Sequence, residues 1–434
     1  MNNELTNTTH TKKETQLILA PMATLSHEAL RRAIFRFGGC DEYYCEMIHA
    51  SSLIAGGQFE KYYISQGPEP EKMVWQLTDT SAEPLIKAAS IVAPLGGIGI
   101  DINMGCPAPE IYKHGAGMMW MNKDLTETGR MLEKIVAVMQ NQQHGADDSS
   151  AICRRLSVKC RLREDDFTES GFFAFIDMLL SSGVTQIVLH PRTRKQKYSR
   201  PARWTYVQKL CEHITELGAK NPLDATAQNY IAHDFSAQES CVQNTVSAHD
   251  CTPHHFSAQE SCVQNTVSTH DCTPHDFSAQ ESCVQNTVSA HDCHMNDITK
   301  HISVIGNGDI SSVESAKAAL ATAPAADGIM LARYAVQKPW LFAQIAHELN
   351  GMPFEKQTLD LYEFTEQYLS DIRECQPKEF WKTRTQRFFA YFCDNFSFGN
   401  YLKARMLHAE NHTEQLQILK DYLEKQTNER FVSL

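Results

Sequence analysis

Leu17-Ile18-Leu19-Ala20-Pro21-Met22-Ala23 is the first apolar run of the chain, and the turn that ends it separates two architectures. A short β-rich run followed by a helical pattern opens both a doubly wound sheet and a closed barrel. The doubly wound fold would place a glycine-rich GxGxxG turn after its first strand. Here the turn reads Ala20-Pro21-Met22-Ala23. Further candidate strands follow at Glu42–Cys45, Met73–Leu77, Gly99–Asn103, Leu156–Cys160, Gln186–His190, Ile302–Ile305 and Gly328–Leu331. Candidate helices fall between them at Ser26–Phe37, Ala82–Ala93, Asp124–Met139, Glu169–Ser181, Arg203–Leu217 and Ser311–Ala321. Strands alternating with crossover helices predict a parallel sheet, and eight such repeats predict an α/β (β/α)₈ TIM barrel over residues 17–350.

Two segments lie outside that pattern. Between residues 221 and 299 the expected helix-to-strand connection is replaced by a 21-residue unit in three nearly identical copies, beginning at His233, His254 and His275. The unit HDFSAQESCVQNTVSAHDCTP has only Phe and two Val as sizeable apolar residues, too little to bury a face on a neighbouring copy. It is expected to be a disordered insertion. Each copy carries His-Asp-Cys, which leaves a metal-binding reading open, although the spacing is unlike known zinc clusters. The insertion joins a helix to the next strand and so enters at the barrel face opposite the catalytic rim. After Gly351-Met352-Pro353, residues 351–434 read as consecutive amphipathic helices, an all-helical second domain.

Hydrophobic residues make up 42% of the 434, and no apolar run approaches the ~20 residues that span a bilayer. No membrane association is expected. Residues 1–16 are polar and lack the apolar core of a signal peptide, predicting a disordered tail on a cytoplasmic protein. Thiols should be reduced there, and the eight cysteines outside the repeats form no CxxC pair, so no metal site is expected. The chain is expected to act as a monomer.

The net charge of −12 misleads about partners, because residues 221–299 hold ten acids and no Lys or Arg. The rest is nearly neutral and carries basic clusters at Arg192, Arg194, Lys195, Lys197, Arg200 and Arg203, and at Lys378, Lys382, Arg384 and Arg387. Local patches set the field that a phosphate backbone feels, so a nucleic-acid partner stays open.

Active sites of this architecture lie at the C-terminal ends of strands. Those ends carry Pro21, Met22 and Ala23; Gln76; Asn103 through Pro107; Lys159; His190; Asn307, Gly308 and Asp309; and Ala332 with Arg333. Each suits a flavin mononucleotide. Gly306 and Gly308 would let backbone amides approach a phosphate, and Arg333 would add a fork of donors. Lys159 would put positive charge beside the ring edge that becomes anionic on reduction. Gln76 would read an amide-like edge with both donor and acceptor. Cys106 sits between Gly105 and Pro107 in a tight strand-end loop, and a thiol with a pKa near ~8.5 is protonated at neutral pH and able to act as a general acid.

Five motifs in order then resemble the tRNA-dihydrouridine synthase family. They are Leu19-Ala20-Pro21-Met22, Asn103-Met104-Gly105-Cys106-Pro107, Val158-Lys159-Cys160-Arg161, His190-Pro191-Arg192-Thr193 and Gly306-Asn307-Gly308-Asp309. The resemblance covers residues 17–434 apart from the insertion. It implies bound FMN, NADPH as reductant, and reduction of the 5,6 double bond of a uridine in tRNA. It assigns Cys106 as proton donor and Pro21, Met22, Ala23, Gln76, Lys159, Asn307, Gly308, Asp309, Ala332 and Arg333 as FMN contacts. His190 joins the cofactor-binding set from its place at a strand end. The chain departs from the family at Ala332, where Gly is usual, at Pro191, and at Ala108-Pro109-Glu110-Ile111-Tyr112-Lys113. Arg192, Arg194, Lys195, Arg200, Lys382, Arg384 and Arg387 are the expected tRNA-backbone contacts. Two other readings share these residues: an FMN barrel oxidoreductase of a small molecule such as a dihydropyrimidine or dihydroorotate, and an RNA-binding scaffold without turnover.

Overall fold

The computed structural model describes residues 14–143, 153–163, 168–196, 199–220 and 301–434. The expectations for residues 1–13 and for the repeats at 221–299 lie outside these ranges. Thr15 and Gln16, assigned to the tail from the sequence, belong to the fold: Thr15 exchanges two 2.9 Å hydrogen bonds with the Asn350 side chain, and the first strand already begins at Gln16.

The strands are β1 (Gln16–Leu19), β2 (Glu42–Tyr44), the two-residue β3 (Ile48–His49), β4 (Met73–Thr78), β5 (Gly99–Met104), β6 (Arg155–Arg161), β7 (Gln186–His190), β8 (Ser303–Asn307) and β9 (Gly328–Leu331). All pairings among them are parallel, and the ring closes where β1 pairs with both β9 and β2 and β2 pairs with β4. β3 continues the line of β2, pairing with the C-terminal end of β4, so the two count as one strand of the ring. The result is the expected eight-stranded (β/α)₈ barrel.

Period-two alternation explains how one strand serves two environments. On β5, Ile100, Ile102 and Met104 join the apolar layer between barrel and helices, and Asp101 and Asn103 take the opposite parity. On β4 the outer set is Met73, Trp75 and Leu77, and on β6 it is Leu156, Val158 and Cys160. A smaller cluster of Ile18, Tyr44, Val74, Val188, Ile305 and Met330 fills the barrel's middle. Below it Glu42 and Arg155 pair at 2.6 Å, and Gln186 Nε2 donates to the Tyr44 hydroxyl at 3.1 Å. Above it the inward polar residues face the rim.

The surrounding helices are α1 (Glu28–Phe35), α2 (Ala50–Ala55), α3 (Glu60–Tyr63), α4 (Ala82–Val92), α5 (Pro109–Tyr112), α6 (Leu125–Gln143), α7 (Glu169–Ser181), α8 (Thr205–Lys220), α9 (Val313–Thr322), α10 (Arg333–Gln337) and α11 (Leu341–Asn350). Ser312 and Ser315 form a reciprocal capping box at the start of α9, satisfying amides that have no intrahelical partner. Gly351, with φ of 71°, ends α11 in the left-handed conformation that favours glycine.

Four more helices follow: α12 (Leu361–Cys375), α13 (Lys378–Phe392), α14 (Gly399–His408) and α15 (His412–Lys425). Their core is aromatic, with the rings of Tyr368 and Phe388 stacked at 3.9 Å between centroids. The region is not purely helical. β10 (Thr358–Asp360) and β11 (Phe431–Ser433) form an antiparallel ribbon, each strand too short for alternation to register in the sequence. Among the described residues, no helix is long and apolar enough to cross a membrane.

Candidate active site

A cavity of about 490 Å³ opens at the C-terminal ends of the strands. It is lined by Pro21, Met22, Ala23, Gln76, Cys106, Lys159, His190, Asn307, Gly308, Asp309, Ala332 and Arg333, so the barrel brings together every predicted cofactor and catalytic residue. Its size is within the ~300–1,000 Å³ usual for small-molecule sites.

The thiol loop is held from several sides. Asn103 Oδ1 accepts the amides of Gly105 and Cys106 at 3.1 and 3.0 Å. Arg161 Nε donates to the Gly105 carbonyl at 3.0 Å, and the Met118 amide donates to the Cys106 carbonyl at 3.1 Å. Gly117, at φ 58°, packs where a Cβ would lie 2.7 Å from that carbonyl, so the loop needs glycine there. Cys106 is half-buried, and burial raises its pKa against the opposing pull of the Ala108 amide, Arg161 and Lys159. The resting thiol is therefore protonated.

The same cavity is strongly cationic. Lys159 donates to Asn307 Oδ1 at 3.2 Å, and burial and Arg161 lower its pKa to about 8, which leaves it mostly charged at neutral pH. His190 is buried, and burial together with Arg161, Lys159, Arg192 and Arg333 drives its pKa well below the usual histidine range. Its Nε2 lies 3.1 Å from Arg192 Nη1, so the neutral ring accepts there and carries its proton on Nδ1. Asp309 is the one carboxylate among the lining residues. It is held at a left-handed φ of 60° and grips Arg192 Nη2 at 2.6 and 2.7 Å and the Ala202 amide at 2.7 Å. Gly308, at φ 123°, lies so close that a Cβ would sit 3.2 Å from the His190 ring.

Several predicted roles change. Gly306 does not clear space for a phosphate: a Cβ there would sit 2.0 Å from the Trp204 ring, so its role is packing on the outer side of β8. The Gln76 carbonyl already accepts from Asn103, so this residue offers the cavity its amide N–H ahead of an acceptor. The Asp309 carboxylate is spent on Arg192 and Ala202, leaving its backbone for a ligand. Arg384 is not on a solvated helix face. Its guanidinium is 2% exposed and pairs with Glu46 at 2.7 Å, because α13 turns that residue toward the barrel. Arg192 is likewise buried, within the cavity wall.

The other expected tRNA contacts stay near the surface. Lys382, Arg387, Lys195 and Arg200 are exposed, and Arg194 lies 4.0 Å over the Tyr112 ring at the thiol-loop side. Arg387 lines the cavity together with Tyr391, which the sequence reading missed. Tyr391 follows Arg387 by four positions and so shares its helix face, a signal usable only once α13 is known to cover the rim. Arg161 was also given no role, although it follows Lys159 by two on one strand and must share its face.

The family described as Dihydrouridine synthase (Dus) matches residues 18–218 and 294–429. The chain is similar to a tRNA-dihydrouridine(16) synthase of Ralstonia nicotianae, 27% identical over 208 residues, which are 46% of this chain and 59% of the relative. A tRNA-dihydrouridine(16) synthase of Neisseria meningitidis serogroup B is 24% identical over 237 residues, 52% of this chain and 65% of that one. A tRNA-dihydrouridine(47) synthase-like protein of Rattus norvegicus is 24% identical over 419 residues, covering 94% of this chain and 48% of its own length. The chain thus spans about three-fifths of the bacterial relatives and half of the rat one.

Proposed function

Because the chain belongs to the dihydrouridine synthase family, we propose that it reduces the 5,6 double bond of a uridine in tRNA, with FMN bound in the rim cavity and NADPH as reductant. One observation supports this reading above the rest: a neutral thiol shares one cavity of flavin size with a cluster of cations.

The residues present fit the cofactor. Lys159, Arg161, Arg192 and Arg333 line the space against the one carboxylate of Asp309, an excess of positive charge that a phosphate dianion would balance. Arg333, His190 and the Gly308 backbone would hold the phosphate. Gln76, Asn103 and Lys159 would hold the ring, where Lys159 favours the anionic reduced form. When bound, FMN supplies hydride chemistry.

The chain's own groups supply the rest. Reduction adds two electrons and two hydrogens across the double bond. Cys106 Sγ holds the proton that goes to the ring carbon opposite the one that receives hydride. The thiolate left behind is stabilised by Arg161 and Lys159, the same cations that pull its pKa down. A stacked uracil cannot enter the barrel rim, so the base must be extruded from the RNA. Arg387 and Tyr391 at the mouth are placed to meet it, and Lys382, Arg194, Lys195 and Arg200 would position the RNA backbone.

The test is to purify the protein, record its visible spectrum, and assay dihydrouridine formation on tRNA with NADPH. A flavin spectrum with tRNA-dependent reoxidation of the reduced protein supports the reading. A colourless protein that takes up no added FMN refutes it.

A further inference from the structure

Beneath the cavity the barrel holds a carboxyl for which the reaction has no obvious use. Asp101, on β5, is fully buried. Its Oδ2 accepts from Gln76 Nε2 at 2.8 Å, and its Oδ1 meets Ser157 Oγ at 2.8 Å. Gln76 Oε1 accepts from Asn103 Nδ2 at 2.9 Å, and Asn103 Oδ1 accepts the amides of Gly105 and Cys106.

These links all point the same way. They start at two backbone N–H groups, which can only donate, and finish at Asp101 Oδ2, which accepts both in the ionised carboxyl and in one protonated on Oδ1. A lone Asn or Gln side chain can turn over and exchange its donor and acceptor ends. Neither amide can turn over here, because that would set acceptor against acceptor or donor against donor in a buried place. Each amide keeps one N–H unspent within the relay, and both residues line the cavity.

We propose that Asp101 is a positioning residue that sets the polarity of this wall: through Gln76 and Asn103 it makes the cavity present N–H donors to an acceptor-bearing ring edge, and it fixes the loop that carries the Cys106 thiol. The identity of the ring rests on the flavin reading; the relay itself does not. Asp101 touches no reacting atom and works through two amides. Ligands with carbonyl or imine acceptors along one edge suit such a wall, and ligands with donors there do not.

The test uses the full-length protein in four forms besides wild type: Asp101→Asn, Asp101→Leu, Gln76→Leu and the double variant Asp101→Leu with Gln76→Leu. Two readouts are taken on flavin-free protein: the FMN dissociation constant by fluorescence quenching, and the iodoacetamide alkylation rate of Cys106 by peptide mapping. Asp101→Leu should weaken FMN about tenfold, the size of one buried hydrogen bond to a ligand, and change the alkylation rate. Asp101→Asn can still accept from Gln76 while donating to Ser157 Oγ, so it should stay within about twofold of wild type. The double variant should be no worse than Gln76→Leu alone, since both changes cut the same chain. Wild-type values in Asp101→Leu, or losses that multiply in the double variant, overturn the proposal. Should Asp101→Leu fail to fold, Gln76→Leu decides, because an unchanged Cys106 alkylation rate there also overturns it. Wild type that takes up no FMN refutes the flavin reading, and the alkylation measurement still judges the relay.

Discussion

Arg384 Nη1 lies 2.7 Å from Glu46 Oε2, with both side chains 2% exposed, so one buried ion pair joins the third-from-last long helix to the loop after β2. The other Glu46 oxygen accepts the Thr24 amide at 2.5 Å, and Thr24 holds a left-handed φ of 64°. The pair therefore braces the Pro21–Thr24 turn that lines the cavity. Around it, Arg36 pairs with Asp371 at 2.6 Å and Arg32 with Glu374 at 2.9 Å.

Removing one partner of a buried pair strands the other charge. Arg384→Met should destabilise the fold by about 3–5 kcal/mol, and adding Glu46→Gln should recover part of that loss. Urea unfolding of the three proteins measures it. Equal stability of Arg384→Met and wild type would mean that the pair is solvated.

Cys106→Ala should keep its flavin and its reduction by NADPH, yet form dihydrouridine about 10²–10⁴-fold more slowly, the range of a lost general acid. Single-turnover mixing of the reduced protein with tRNA isolates that step. An unimpaired rate would remove Cys106 from the reaction.

Burial pushes the Asp101 carboxyl up to about 7, against the opposing pull of Gln76, Ser157, Lys159 and Arg155. Unfolded, the same group titrates near ~3.9. Between those values the folded state binds the extra proton, so this group's contribution to stability falls as pH rises from about 4 to about 7 and is level outside the window. Asp101→Asn lacks it. The wild-type-minus-variant unfolding free energy should descend by about 1.4 kcal/mol per pH unit inside the window. A level difference would contradict the shift.

Charge reversal at Lys382 and Arg387 should weaken tRNA binding and lower its salt slope by roughly one per lost phosphate contact. NADPH oxidation by the flavin should be unaffected by Lys382→Glu, which lies outside the cavity. Arg384 does not belong in this experiment, because reversing it would disrupt the core. Filter binding at two salt concentrations reads the slope, and identical slopes would take both residues off the RNA surface.

Deleting residues 224–297 and joining the ends with a short linker should leave flavin content and turnover near wild type. The flanking elements, α8 and β8, meet at the barrel end opposite the cavity, and loop-closure cost changes slowly with length. Loss of flavin on deletion would give the segment a structural role.

The barrel was legible because its signal is redundant. Short apolar runs alternate with helical patterns eight times over, and the rim residues fall at strand ends where the chemistry of this fold resides. What the sequence hid depends on how elements face one another. Nothing in Lys378–Phe392 says which turn of α13 meets Glu46, so Arg384 read as one more exposed base. Gly306 and Gly308 look alike in sequence and would share a face on a continuous strand, yet β8 ends at Asn307 and the positive φ of Gly308 turns it toward His190, while Gly306 packs against Trp204. Asp101 has no signal of its own in the sequence, because its partners Gln76 and Ser157 lie on neighbouring strands. The ribbon of β10 and β11 unites residues about seventy positions apart, beyond any local pattern.

β8 is hydrogen-bonded to β7 on one side and β9 on the other, so the chain need not be continuous between Lys220 and His301 for the ring to close. The barrel is in effect two halves that meet where β7 pairs with β8 and β9 with β1, and through ion pairs such as Glu46 with Arg384, Arg36 with Asp371 and Arg192 with Asp309. The second half brings the Asn307–Asp309 loop and the helix that carries Arg387 and Tyr391; the first brings the thiol and the Gln76–Asn103 amides. Neither half has a complete cavity. Separately expressed pieces, 1–220 and 301–434, would have to find each other before flavin could bind, which makes colour itself a reporter of their reunion.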